Sequence, residues 1–180
     1  MRLILLTISL LALGAIARAQ KPGVTDTVSV CDLLRQPAKY NGKIVSASGI
    51  YFPGGHGLYL KGDNCEEILI TKGFKWPSLI WLPLGDRGFQ DRGLSVERLR
   101  KALDETGRLM NRESARKGNG VKDSKIIVTY RGRFETHDDL ELRIFRRPDG
   151  SFMADGFGPG LSPAPAQLFI DSVEGVALEY

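Results

Sequence analysis

Residues 95–116 read SVERLRKALDETGRLMNRESAR, and this stretch decides the fold through what stands on either side of it. Ser95 is a natural helix cap, with a side-chain oxygen to offer the first free backbone N–H groups. Val96, Leu99, Leu103 and Met110 recur at helical spacing and share one face, while Arg98, Lys101, Glu105 and Arg108 lie off it. Gly107 is a candidate break, and Lys117-Gly118-Asn119-Gly120 ends the helix. The segment is therefore an amphipathic helix with one side to bury.

Moving outward from the helix, both flanks read as strands. Upstream, Ile44 to Tyr51 forms the first, and Pro53-Gly54-Gly55 turns it into a second near His56 to Lys61. Gly62-Asp63-Asn64 turns again into a third over Glu67 to Thr71, with Ile68 and Ile70 on one face. Lys72 to Gly93 reads as irregular, holding Trp76-Pro77 and the apolar strip Ile80-Trp81-Leu82. Before the first strand, Ser29 to Lys39 reads as a short N-terminal helix, capped by Ser29 and limited by Pro37, and Tyr40-Asn41-Gly42-Lys43 as a turn. Downstream, Lys125 to Phe134 is a strand, Leu140 to Arg146 and Ser151 to Ala154 flank the hairpin signal Pro148-Asp149-Gly150, and Gln167 to Val173 is the last.

The prediction is a mainly β chain, a small five- to six-stranded OB-like Greek-key barrel with one amphipathic helix between its third and fourth strands. An SH3-like barrel lacks that helix, and a sandwich needs more strands. No repeat, low-complexity tract or internal boundary appears, so residues 28–180 are read as a single domain.

The N-terminus predicts export. Met1-Arg2 supplies a positive start, Leu3 to Ile16 is almost wholly apolar, and Ala17-Arg18-Ala19 offers small residues for cleavage before Gln20. Fourteen helical residues reach roughly 21 Å, short of the ~30 Å hydrocarbon core, which favours a signal peptide over an anchor. Residues 1–19 are read as the signal peptide and 20–27 as a flexible lead-in. No later segment is long and apolar enough to span a bilayer, so the mature chain is expected to be soluble, periplasmic or secreted.

Removal of Arg2 and Arg18 takes Lys+Arg from 25 to 23 against 21 acidic residues, so the net charge falls from +4 to about +2. Phosphate binding wants clustered cations, and the small excess argues against nucleic acid. Cys31 and Cys65 are the only cysteines, and in an oxidising compartment they are expected to pair. The closed loop would contribute roughly 3.8 kcal/mol by chain entropy.

A resemblance supports the same picture. Cys31-Asp32-Leu33-Leu34, then Tyr40-Asn41-Gly42-Lys43-Ile44-Val45 running into Gly49-Ile50-Tyr51, begin it. Cys65, Ile80-Trp81-Leu82, Gly132-Arg133-Phe134-Glu135, Gly156-Phe157-Gly158 and Pro165-Ala166-Gln167-Leu168 complete it. With these the chain resembles small exported bacterial proteins with an OB-like barrel. Such proteins often carry a His after the last glycine pair, where this chain has Pro159. The resemblance implies fold, export and a disulfide, and no chemistry.

No catalytic set emerges from the residues. His56 sits in a Gly-rich turn, and His137-Asp138-Asp139 lacks the further His and Asp ligands that a His-Asp metal site needs. Gly156-Phe157-Gly158-Pro159-Gly160 resembles a phosphate loop in composition alone, because Pro159 removes a donor and Ser162-Pro163-Ala164-Pro165 forbids a following helix. No Gly-x-Ser-x-Gly elbow occurs. The adjacent acids Glu66-Glu67 and Asp138-Asp139 would diverge on a strand rather than converge across a cleft. No metal and no cofactor are expected.

The remaining candidates are aromatic and cationic. OB-folds bind across strands two and three, where aromatic faces stack on bases or sugars. Tyr59, Trp76 and Trp81 fall near that region, with Arg131 and Arg133 as candidate cationic neighbours. Against this, Trp81 and Tyr59 suit the core. The expected function is a non-enzymatic exported binding or interaction module, its partner an envelope protein or an oligosaccharide. The alternative is an oligosaccharide- or nucleic-acid-binding protein using the usual OB face.

Overall fold

The computed structural model describes residues 26–54, 57–65, 68–85, 95–117, 125–159 and 163–179. The expected signal peptide, most of the lead-in, His56, Glu66-Glu67 and Gly160 lie outside the described residues. The chain runs β1 (Thr27–Ser29), α1 (Val30–Arg35), α2 (Pro37–Tyr40), β2 (Ile44–Gly54), β3 (Gly57–Lys61), β4 (Ile70–Thr71), β5 (Phe74–Lys75) and β6 (Leu79–Leu82). It continues with α3 (Val96–Lys117), β7 (Lys125–Thr136), a short 3-10 turn (Leu140–Arg143), β8 (Ile144–Arg146), β9 (Phe152–Ala154) and β10 (Ala166–Glu179).

The protein is mainly β, with one six-stranded sheet and one long helix. Strand order is β1-β2-β3-β6-β10-β7, and β2 also pairs with β7. β1 lies parallel to β2 and β6 parallel to β10; the other pairings in this sheet are antiparallel. Two small hairpins, β4–β5 and β8–β9, stand apart from it.

Period-two alternation sets which face is buried. On β7, Val128, Tyr130, Gly132, Phe134 and Thr136 are buried, while Thr129, Arg131, Arg133 and Glu135 between them are only partly covered. The core also takes Leu33 and Leu34 from α1, Leu58 and Leu60 from β3, Ile80 and Leu82 from β6, and Leu168 and Ile170 from β10. The β10–β7 register shifts after Ile170 and again after Val173, which bends the long pair. Gly132 sits beside the first shift, where a Cβ would collide with the Phe169 carbonyl oxygen.

α3 packs against β10, with Leu99, Ala102 and Thr106 buried. The Ser95 hydroxyl accepts from Arg98 N at 3.3 Å, so the cap forms as expected. Gly107 does not break the helix, which runs on to Lys117. Flanking helix formers and the buried face outweigh the ~1 kcal/mol cost of one glycine. Thr106 had no place in the apolar stripe, yet it is buried: its hydroxyl donates to the Ala102 carbonyl at 2.8 Å and lies 3.1 Å from the Tyr130 hydroxyl. Burial pushes the Tyr130 pKa up to about 12.

The third strand of the sheet differs from the sequence reading. Within the expected Glu67–Thr71 strand, Ile70 is half-exposed and pairs only within the β4–β5 hairpin. Lys72 and Gly73, with φ of 49° and 80°, form its two-residue turn, and paired positive φ values suit the right-handed twist of a hairpin. The sheet instead takes Leu79-Ile80-Trp81-Leu82, from the stretch read as irregular, because Ile80 and Leu82 point into the core between β3 and β10. The N-terminal helix is also split, with Gln36 between α1 and α2. Thr27, assigned to the lead-in, opens β1.

The Cys31–Cys65 disulfide is formed, joining α1 to the turn after β3. Among the described residues no helix is long and apolar enough to cross a membrane.

Candidate functional site

The outward face of β7 ends in a recess. Arg133 and Glu135 are two residues apart on that face, and His137 follows just beyond the strand. With Asn41, Gly42, Thr136 and Phe157 they line an open cavity of about 320 Å³.

Each wall is held by a different part of the chain. The turn after α2 is clipped to β7: Gly42 N–H donates to Phe134 O and Phe134 N–H to Lys43 O, both at 2.9 Å. Gly42 has φ of 73°, in the left-handed region that favours glycine. Asn41 Oδ1 accepts from Thr136 N–H at 3.0 Å, and its Nδ2 donates to Asp138 Oδ1 at 2.8 Å. The Thr136 hydroxyl donates to Pro165 O at 2.9 Å, which brings in the start of β10.

Phe157 arrives from the long connection between β9 and β10. Its backbone exchanges two 2.8 Å hydrogen bonds with Ala164. Its ring stacks on His137, with centroids 4.2 Å apart and planes 7° from parallel. The neighbouring glycines permit this approach. A Cβ on Gly156 would stand 2.9 Å from Pro163 Cβ and 3.0 Å from Trp76 Cζ3. One on Gly158, at φ of 92°, would stand 3.1 Å from the Trp81 ring. Gly156 and Gly158 of the glycine-rich motif are thus closely packed.

Charge in the recess is nearly balanced. Glu135, with 15% side-chain exposure, accepts from the buried Gln167 Nε2 at 3.0 Å on one oxygen. Its other oxygen lies 3.2 Å from Arg133 Nε. The Arg133 N–H is not aimed along that line, so the pair is an ion pair by distance only, and the buried Nε has no hydrogen-bond acceptor. Burial holds the His137 pKa below its ordinary 6.5, with nearby Arg143 acting the same way. Asp139, Asp155 and Asp138 pull in the opposite direction without reversing the shift. His137 is therefore neutral at pH 7. Arg143 is itself paired with Asp155 at 2.7 Å and Asp139 at 3.3 Å.

The residues named from sequence fall in three places. Tyr59 and Trp76 are 5% and 2% exposed, so neither offers a ring face to a ligand, and their use as a stacking platform is corrected. Trp76 meets Phe74 edge-on at 5.1 Å and donates from Nε1 to Thr71 Oγ1 at 3.1 Å. Trp81, expected in the core, is only partly covered; it pairs in register with Tyr59 on β3. Arg131 and Arg133 share the outward face of β7, and only Arg133 lines the recess. Asp138 and Asp139 serve Asn41 and Arg143, which is a structural role. His56 and Glu66-Glu67 lie outside the described residues.

Sequence reasoning passed over Asn41, Glu135, Phe157 and Gln167, and set His137 aside. The alternation Arg133-x-Glu135-x-His137 at a strand end was the available signal, since every second residue shares a face. Among the described residues, no group of three or more His, Cys, Asp or Glu side chains is placed to hold a metal ion. The arrangement supplies a guanidinium, a carboxylate, a neutral imidazole and an aromatic ring, which together suit recognition of a small polar ligand. No family model, curated protein or solved structure matches this chain.

Proposed function

We propose that this protein is an exported OB-like module that binds a ligand without transforming it, through the recess at the end of β7. Support for the OB-like barrel comes from the pairings β2-β3-β6-β10-β7, with β7 returning to β2 and β6 parallel to β10. The long helix falls between β6 and β7, the third and fourth of these five strands in chain order, as in the OB ground plan. Export is supported by the leader-like N-terminus and by the cystine.

One observation carries the binding reading. Arg133 and Glu135 line one recess, a donor-only group beside an acceptor-only one, and the fold leaves the buried Arg133 Nε–H without an acceptor. The usual OB face is the weaker alternative, for oligosaccharide or nucleic acid alike, because Tyr59 and Trp76 are buried. The test is affinity capture from the native envelope fraction with the wild type and Arg133→Met. A small molecule retained by the wild type, lost by the variant and recovered chemically unchanged is the expected result. Equal retention by both, or recovery of an altered molecule, would overturn it.

A second reading has its own observation. Leu142, Phe145, Phe152 and Met153 are exposed within twelve residues of each other, around the β8–β9 hairpin. Clustered exposed apolar side chains mark interaction surfaces, which favours an envelope protein as partner. In the same capture, Phe145→Ser with Met153→Ser would then release a protein that Arg133→Met retains.

A further inference from the structure

We infer that the recess takes a neutral sugar unit, held through two adjacent hydroxyls by Arg133 and Glu135. The inference rests on the recess being a binding site and names the ligand class it takes. Three features of the same cavity converge on it.

The first is charge. The guanidinium of Arg133 and the carboxylate of Glu135 both line the cavity, 3.2 Å apart at their nearest atoms. A phosphate or carboxylate reaching Arg133 would lie against Glu135, and an ammonium reaching Glu135 would lie against Arg133. Either ionic ligand meets a like charge at contact distance, in a partly desolvated site where that repulsion is poorly screened. A neutral ligand meets none.

The second is hydrogen-bond capacity. A guanidinium only donates and an ionised carboxylate only accepts. A hydroxyl does both, so neighbouring hydroxyls can accept from Arg133 and donate to Glu135 at once. Arg133 brings its guanidinium to the cavity, and Gln167 Nε2 fixes the Glu135 carboxylate in place beside it. Hydrogen bonds to charged partners are the stronger kind, which suits a ligand that must be drawn out of water.

The third is the apolar wall. His137 and Phe157, stacked at 4.2 Å, lie on the same cavity, and a sugar ring carries a C–H face that packs on such a surface. The volume of about 320 Å³ is at the bottom of the roughly 300–1,000 Å³ range for small-molecule sites. It suits one ring rather than several.

The experiment follows the Arg133 Nε–H and His137 ring resonances by NMR in the intact mature protein. The probes are cellotetraose, N-acetylchitotetraose, galactobiose and methyl α-mannoside, with inorganic phosphate, acetate and ethanolamine as ionic counterparts. Saturable shifts of both resonances with at least one of the sugars are expected, and none with the ions. Arg133→Met and the near-isosteric Glu135→Gln should each weaken that sugar by roughly tenfold or more, as loss of a charge-assisted hydrogen bond implies. Dispersed spectra of Glu135→Gln report that the fold is kept. Saturation by phosphate or acetate alone, strengthened in Glu135→Gln, would overturn the sugar class and leave the recess as a site. Silence of these resonances to every probe would overturn both.

Discussion

Gly156 and Gly158 owe their identity to neighbours far away in sequence. A methyl group at Gly156 meets the Ala164 carbonyl, Pro163 and Trp76, all of them backbone or ring atoms that cannot easily swing aside. Gly156→Ala should therefore destabilise the protein by about 1–3 kcal/mol, as overpacking of a tight site does. The urea midpoint would fall, and the Phe157–His137 stack would loosen. His137 makes a pH prediction. Its folded pKa is held below the unfolded 6.5 mainly by burial, so the unfolded chain takes up the proton first. The contribution to stability is fully present above pH 6.5 and is lost as the pH falls through the lower folded value. Urea denaturation from pH 7.5 down to 4.5 should show this loss in the wild type, and His137→Gln should flatten that part of the profile. A wild-type curve that gained stability over the same span would contradict the assignment.

Between residue and fold, α3 shows which local signals survive packing. Ser95, Val96 and Leu99 act in the structure much as their spacing implies, because a cap and an apolar stripe are properties of the segment itself. Gly107 behaves differently from its local reading. It lies in the helix interior, exposed and with open space where a Cβ would go. Gly107→Ala should therefore raise stability by about 0.5–1 kcal/mol through lost unfolded-state freedom and better helix propensity. Calorimetry would read it as a higher Tm. The third strand of the sheet was misread for a reason of the same scale. Ile68 and Ile70 have strand-like spacing, but Lys72-Gly73 turns the chain back at once, and four residues at Leu79–Leu82 fill the gap between β3 and β10. A four-residue strand carries too little alternation to be seen alone. Its place depends on having a partner on each side.

The disulfide acts on the whole molecule. It closes a separation of 34 residues, tying α1 to the segment that leaves β3, and Gly62 leaves room for it where a Cβ would strike the Cys65 sulfur. Replacing both cysteines by serine should cost roughly 3.8 kcal/mol by the loop-entropy relation. Reduction of the wild type should destabilise it by a similar amount, read as a lower Tm, and a reduced protein as stable as the oxidised one would refute this. Composition and local pattern sufficed for a mainly β chain, for the amphipathic helix and its cap, for the N-terminal helical turn and for the cysteine pair. Each of these is set by period, by a nearby side chain, or by there being only two thiols. The recess is a different matter. Asn41, Arg133 and Phe157 stand far apart in the chain and meet because β2 and β10 flank β7 while Gly156-Phe157-Gly158 folds back over Trp76 and Trp81. Likewise Tyr59 and Trp76 have the chemistry of a stacking platform, and only packing buries them. A side chain's type is written in the sequence; which of its faces meets water is decided by strands that pair from distant parts of the chain.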